Sequence, residues 1–528
     1  MASFNTLNTY DASARIPEFK GLMQYGDGLN TDPRYAAEEK NLETIGGVLQ
    51  PAAACEALPP TLPAPIETLA LLHRRWHTQS DEKNILIAAS AGKLYAMLPS
   101  ADEWTELACP EGVAAFESNN WSCVTYEINP EGSDASVDVL LMSNALDGMV
   151  MVRGDTLVVE TVKTPKKFGV IERYAERIWG GAISEDPDQL VYSAPYDPTN
   201  WEANVEIPED GAGDISQPSW DGDSFTALRS FGSQLIAFKK TRVWRILGTD
   251  PGEYTFKEQY GGGAPYEGTI AVDTERILML SRRGVVVYDG LAVSPFQQEY
   301  TRGVWERVNA GALGNACAAI WHEKYYCALP LDQSESNNAV LVYNPVDGTW
   351  LLREDVQVER FLPTEDVLYF TSATTPGRIW KWGEDSWETG MATQAETFWA
   401  TPWNDLNYRQ IVKGGFEVYL LCEVQNAPVT LSISIQTEKK IKTKTYTIKP
   451  LTDMERRKGK GHKQKRLHFG GTGRRFRLMI QSPQNSPVWR LSPDCDGDRP
   501  GLRRTYERFL LDHSSTRAAA RPSRLGSE

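Results

Sequence analysis

Cysteine is sparse in this sequence. Cys55, Cys109, Cys123, Cys317, Cys327, Cys422 and Cys495 are scattered, odd in number and contain no Cys-x-x-Cys pair, which excludes a paired disulfide framework and a cysteine zinc site and leaves small core residues. Histidine is equally thin. His73 and His77 in HRRWH follow the apolar run Leu69 to Leu72, so a strand is expected there, and residues four apart on a strand share a face but lie too far apart to chelate one ion unaided. No metal site is assigned. No apolar run reaches the ~20 residues a spanning helix needs, and the opening MASFNTLNTYDASARIPEFK lacks the basic-then-apolar plan of a secretory leader. Cytoplasmic synthesis without membrane insertion is the expectation.

Catalytic motifs are also missing. The sequence has no serine nucleophile elbow, no phosphate loop and no G-x-G-x-x-G opening a helix; Gly261-Gly262-Gly263 runs into Ala264-Pro265-Tyr266 and reads as a loop. The acidic stretches Asp221-Gly222-Asp223 and Asp494 to Asp498 lack the glutamate spacing of a calcium loop and read as turns. No catalytic residue and no cofactor follow from the sequence, and a non-enzymatic protein is expected. A glycosidase carboxylate pair is defined by separation in space, so a glycan-cleaving enzyme stays open as an alternative reading.

What the chain does have is a β rhythm. Arg177 to Trp201 runs as a strand, an acidic turn at Glu185-Asp186-Pro187-Asp188, a second strand at Leu190-Val191-Tyr192 and a break at Pro195 to Asn200. The rhythm recurs at Leu94, Met149, Leu190, Val243, Val286, Leu341 and Ile379, with spacings of 38 to 55 residues that suit four-stranded propeller blades. Hairpins are read at Gln234–Phe238 with Val243–Ile246, and at Ile277–Leu280 with Val285–Gly290. Their strands are apolar throughout, as expected where both sheet faces are covered. No segment competes as a long amphipathic helix. The fold class is therefore all-β: a six- or seven-bladed β-propeller followed by a β-sandwich. Most of the sixteen Trp are read as core filling.

Four parts follow. Residues 1–65 end in LPPTLPAP and read as an extended N-terminal arm that orders on a neighbouring subunit. Residues 66–392 are the propeller, and residues 393–493, with alternating strands at Phe416–Leu421, Val429–Ile435, Thr443–Lys449 and Phe476–Gln481, are the sandwich. Residues 494–528 are Arg-rich and expected to be disordered.

Charge divides the chain. Residues 1–437 hold 61 acidic and 32 basic residues, a net of −29, whereas residues 438–528 hold 9 acidic and 23 basic, a net of +14. The basic residues gather in three places. Lys439, Lys440, Lys442 and Lys444 fall on or beside a strand; Arg456, Arg457, Lys458, Lys460, Lys463, Lys465 and Arg466 crowd a loop; and Arg474, Arg475 and Arg477 begin the return strand. Cations interleaved with glycine suit phosphate contact. Few aromatics stand among them for base stacking, so a partner subunit is the favoured contact.

The segments ERIWGGAISEDPDQLVYSAPYDPTNW (176–201), FTALRSFGSQLIAFKKTRVWRILGTDP (225–251) and ILMLSRRGVVVYDGLAVSPF (277–296) together resemble bacteriophage virion proteins with a β-propeller, of the tail hub, nozzle or packaged-DNA stabilisation type. The resemblance covers about residues 170 to 300. It implies a structural tail protein, assembled in the host cytoplasm into the virion, that forms a ring of its own copies around or closing the DNA conduit. The partners so implied are neighbouring tail or portal-complex proteins, with at most weak non-specific DNA contact, and no catalytic residue carries over. The other alternative is a carbohydrate-binding propeller for host recognition.

Overall fold

The computed structural model describes residues 16–24, 29, 31–75, 83–129, 136–216, 222–407, 409–410, 412–457, 461–492 and 511–513. Four short strands come first: β1 (Glu38–Lys40), β2 (Leu42–Ile45), β3 (Val48–Pro51) and β4 (Glu56–Thr61). The blades follow as antiparallel sheets. Blade one is β5 (Thr68–His73), β6 (Asn84–Ser90), β7 (Lys93–Met97) and β8 (Thr105–Leu107). Blade two is β9 (Ser122–Ile128), β10 (Val137–Asn144), β11 (Gly148–Arg153) and β12 (Val159–Val162). Blade three is β13 (Val170–Tyr174), β14 (Arg177–Gly181), β15 (Gln189–Tyr192) and β16 (Gly213–Ser216). Blade four is β17 (Phe225–Phe231), β18 (Gln234–Lys239), β19 (Val243–Leu247) and β20 (Thr255–Gln259). Blade five is β21 (Ala271–Val272), β22 (Ile277–Ser281), β23 (Gly284–Tyr288) and β24 (Val293–Pro295). Blade six is β25 (Cys317–Trp321), β26 (Lys324–Leu329), β27 (Ala339–Asn344) and β28 (Thr349–Arg353). Blade seven has β29 (Arg360–Pro363), β30 (Leu368–Thr371) and β31 (Arg378–Lys381), and takes β4 as its outermost strand.

The blade number is thus seven. The ring closes because Thr61, Ala57 and Glu56 of β4 pair with Arg378, Trp380 and Lys381 of β31. Pro59 and Pro60 sit on this outer strand, where a missing N–H costs no ladder bond. Each blade packs on the next through its own apolar cluster. Strand β6 shows how: Ile85, Ile87 and Ala89 join the cluster with blade two, while Leu86 and Ala88 join the cluster with blade seven. Alternate residues feed opposite faces, so a strand between two blades must be apolar throughout.

The sandwich adds β32 (Thr397–Ala400), β33 (Lys413–Val424), β34 (Val429–Thr437), β35 (Ile441–Ile448), β36 (Lys463–Gly473), β37 (Phe476–Ser482), β38 (Trp489–Leu491) and β39 (Leu511–His513). One sheet runs β1-β32-β37-β34-β35; the other runs β2-β3-β38-β33-β36, with β39 also pairing β33. Helix is confined to single turns among the described residues: α1 (Arg302–Trp305), α2 (Ser386–Thr389) and α3 (Asp453–Arg457).

The expectation of an extended arm over residues 1–65 is corrected for its described part. β1, β2 and β3 complete both sandwich sheets and β4 completes the propeller, all within one chain. Phe19 packs edge-on against Trp399 at 5.2 Å, and Leu22 N–H donates to the Trp350 carbonyl of blade six. The strands are only three to six residues long, too short for a clear period; β1, β3 and β4 pair with partners more than 300 residues away, and β2 pairs with β3 in a local hairpin. The sandwich core, with Val418, Leu431, Ile433 and Trp489, is continuous with Leu280, Tyr325 and Leu341 of blades five and six.

Smaller expectations meet the same test. Cys317, Cys327 and Cys422 are buried, but Cys55, Cys109 and Cys123 are only partly so. His73 ends strand β5 as expected. His77, Asp221, Cys495 and the acidic stretch Asp494 to Asp498 lie outside the described residues, as does the 494–528 segment apart from β39.

Candidate functional site

The basic residues assemble on the open edge of the sandwich. β35 and β36 are the outermost strands of the two sheets and stand side by side, since Lys444 Nζ lies 5.5 Å over the Phe469 ring and Lys465 Nζ lies 5.0 Å over the Tyr446 ring. Register decides where the lysines point. Lys442, Lys444 and Tyr446 stand opposite Ile435, Ile433 and Leu431, which are buried, so all three are on the core-facing side of their sheet. Lys463 and Lys465 share a side with Leu467 and Phe469, which are buried against the same core. The two sheets therefore present lysines toward each other at the mouth of the sandwich. On the other face of β35, Thr443, Thr445 and Thr447 meet Ser434, Ser432 and Thr430 in a row of hydroxyl contacts at 2.7 to 3.2 Å.

Inward-pointing lysine on an edge strand blocks stray strand pairing, and that role alone would account for one or two of them. Here no carboxylate among the described residues pairs with Lys439, Lys440, Lys442, Lys444 or Lys465. Lys439, Lys440 and Lys442 line a hollow of about 160 Å³ with Thr437, Gly470 and Gly471. Lys442 Nζ stands close to Gly470, 3.4 Å from where a β-carbon there would lie.

At one end of the edge, two turns are clasped together. Glu438 accepts the backbone N–H of Arg474 at 3.0 Å and of Arg475 at 2.8 Å, and the Arg475 side chain stands 3.6 Å away. Burial pushes the Glu438 carboxyl up, but these donors and the Arg475 charge outweigh it and hold it below the usual range. Arg474 and Arg475 thus sit in the turn before β37, not on it. Arg456 and Arg457 are exposed on α3, one turn of helix where a loop was expected. Lys463 joins Glu455 of that helix at 2.5 Å, and this contact together with the Thr452 donors holds the Glu455 carboxyl down at about 2.

The structure therefore unites Lys439, Lys440, Lys442 and Lys444, brings Arg474 and Arg475 to their turn, and leaves Arg456 and Arg457 on α3 beyond the far end of β35. Lys458 and Lys460 lie outside the described residues. Lys463, Lys465 and Arg466 were expected in a loop and belong to strand β36. The signal for it was present in Lys463, Lys465, Leu467 and Phe469 at period two. Cations cover the neighbouring rings, with Arg466 5.2 Å over Tyr419, so the edge offers charge and unpaired backbone groups, not faces for base stacking.

No family model and no curated protein matches the chain. Among solved structures, it is similar to a chain of the mitotic checkpoint complex at 12% identity and a TM-score of 0.35, covering 61% of this chain and 94% of that one. The Pan2 WD40 domain of Neurospora crassa gives 10% and 0.31, with 64% and 96% covered. YCF48 of Cyanidioschyzon merolae gives 6% and 0.30, with 62% and 98% covered. The architecture rests on the strand pairing described above, and these likenesses add nothing about function.

Proposed function

We propose that this chain is a structural component of a bacteriophage tail, assembling into a ring around or closing the DNA conduit. The observation that carries the reading is a polarity of charge laid over two joined bodies. Residues 1–437, which supply the propeller, carry −29, while the free edge of the sandwich presents lysines without carboxylate partners among the described residues. A wall along which DNA must slide should repel phosphates, and an acidic propeller does so. A basic edge on the same rigid unit suits an acidic protein neighbour.

The test is electron microscopy of the purified full-length chain and of particles assembled with and without it. Closed rings with an axial opening, and particles that leak their genome when the chain is absent, are the expected results. Binding of duplex DNA should be weak and lost at about 0.15 M salt. A strictly monomeric protein that holds DNA tightly at that salt would sink the proposal.

A further inference from the structure

The partner of the basic edge can be named from the other side of the molecule. Between β15 and β16 of blade three the chain leaves the sheet for twenty residues, and every residue from 202 to 210 is exposed. The excursion carries Glu202, Glu206, Glu209 and Asp210, none joined to a cation among the described residues. Within it Val205 is 91% exposed and Ile207 50%, and Tyr196, earlier in the same excursion, is 74% exposed. Apolar side chains held in water inside a polar rim have the composition of a protein contact.

This loop is held in place. Arg177, 1% exposed, donates to the carbonyls of Ser193 at 2.8 Å, Gly211 at 2.6 Å and Glu209. Trp201 packs on Phe168 at 5.1 Å, and Asn204 Oδ1 accepts the N–H groups of Glu206 and Ile207 at 3.0 Å each. A surface already ordered loses little entropy on binding.

Resting on the ring reading above, we infer that the blade-three loop of one copy docks on the β35–β36 edge of the next. Charge is complementary: four carboxylates face Lys442, Lys444 and Lys465, with Lys439 and Lys440 at one end. Beside Lys439 and Lys440, at the start of β35 and on its threonine face, Ile441 is 57% exposed and adds one apolar side chain at that end of the edge. The sandwich shares its core with blades five and six, whereas the loop stands on blade three, so the two surfaces sit apart on one chain. A contact between different patches of identical copies is heterologous, and repeated head to tail it builds a ring where the rotation between copies closes and an open filament where it does not.

The experiment uses the full-length chain, with oligomeric state followed by analytical ultracentrifugation and electron microscopy. The triple variant K442E/K444E/K465E and the triple variant E202K/E206K/E209K are each expected to weaken self-association by about tenfold or more, while an equimolar mixture of the two re-associates in alternation. All six positions are at the surface or an edge, and unchanged circular dichroism would confirm the fold. As a second measure, V205C and I441C placed in one chain should yield disulfide-linked ladders that neither single variant gives. Rings that survive both charge reversals would overturn the inference and leave the tail reading standing. A wild-type chain that never associates would end both, and tight duplex DNA binding lost in K442E/K444E/K465E would reassign the edge to nucleic acid.

Discussion

Arg353 shows how single residues hold the two bodies together. Its guanidinium is 1% exposed, forks onto Asp355 at 2.7 and 2.8 Å, donates to the Ala53 carbonyl at 2.9 Å and reaches Glu43 of β2 at 3.4 Å. Removing one partner of such a buried set strands the others, at a cost of about 3–5 kcal/mol. Arg353→Met should lower stability by that amount in urea unfolding. Burial raises the Asp355 carboxyl, but the Arg353 charge and hydrogen bonds outweigh it and hold it below the usual range. The stability it contributes is therefore present above about pH 3.9, its unfolded value, and is lost as pH falls through the lower folded value. Glu39 has the opposite sign. It is 2% exposed, both carboxylate oxygens lack a hydrogen-bond partner among the described residues, and burial, then the Glu43 charge, pushes it well above the ordinary range. Folding takes up a proton there, so stability falls as pH rises from about 4.3 toward the folded value. Glu39→Gln should match wild type below that pH and gain on it progressively above, read from unfolding midpoints across the range. At Gly180 in β14, a β-carbon would meet the Phe168 ring at 2.4 to 2.6 Å. Gly180→Ala should cost about 1–3 kcal/mol by overpacking, measured the same way.

At the scale of elements, β1 to β4 are the strands on which most depends. Deleting residues 1–61 removes a strand from the last blade and three from the sandwich, so the truncated chain should lose cooperative thermal unfolding. An arm that only gripped a neighbour would leave the propeller intact. These same strands mark the limit of what the sequence discloses. The seven anchors Leu94, Met149, Leu190, Val243, Val286, Leu341 and Ile379 all fall on the third strand of a blade, a strand that in blades one to six is mostly buried and announces itself by its apolar residues, while β31 of blade seven has only Ile379 fully buried. β1 to β3 announce little, since β1 and β3 take their places by pairing with β32 and β38 far along the chain, and the hairpin of β2 with β3 is only four residues a side. The lysines of β35 were visible as a cluster, but their orientation toward the inter-sheet mouth follows only from pairing with Ile433 and Ile435.

For the whole molecule, one core joins the sandwich to blades five and six. Domains that share a core melt together, so scanning calorimetry should show a single transition. The excised segment 393–493 should stay unfolded, lacking β1, β2 and β3, and a well-dispersed amide NMR spectrum from it would count against the shared core.

The closing pair of the ring also fixes an order in time. β4 emerges from the ribosome before any blade exists, and its partner β31 follows only after roughly 300 residues, which at about 5–20 residues per second is a wait of some 15 to 60 s. Throughout that interval the growing arc of blades leaves an apolar face uncovered at each of its two ends, and the circle cannot shut from the front. Pro59 and Pro60 keep the waiting strand from recruiting a wrong partner. The last step of this chain's maturation is thus the capture of its own beginning, and a nascent chain arrested before Arg378 should remain chaperone-bound and open to protease, however many blades it already carries.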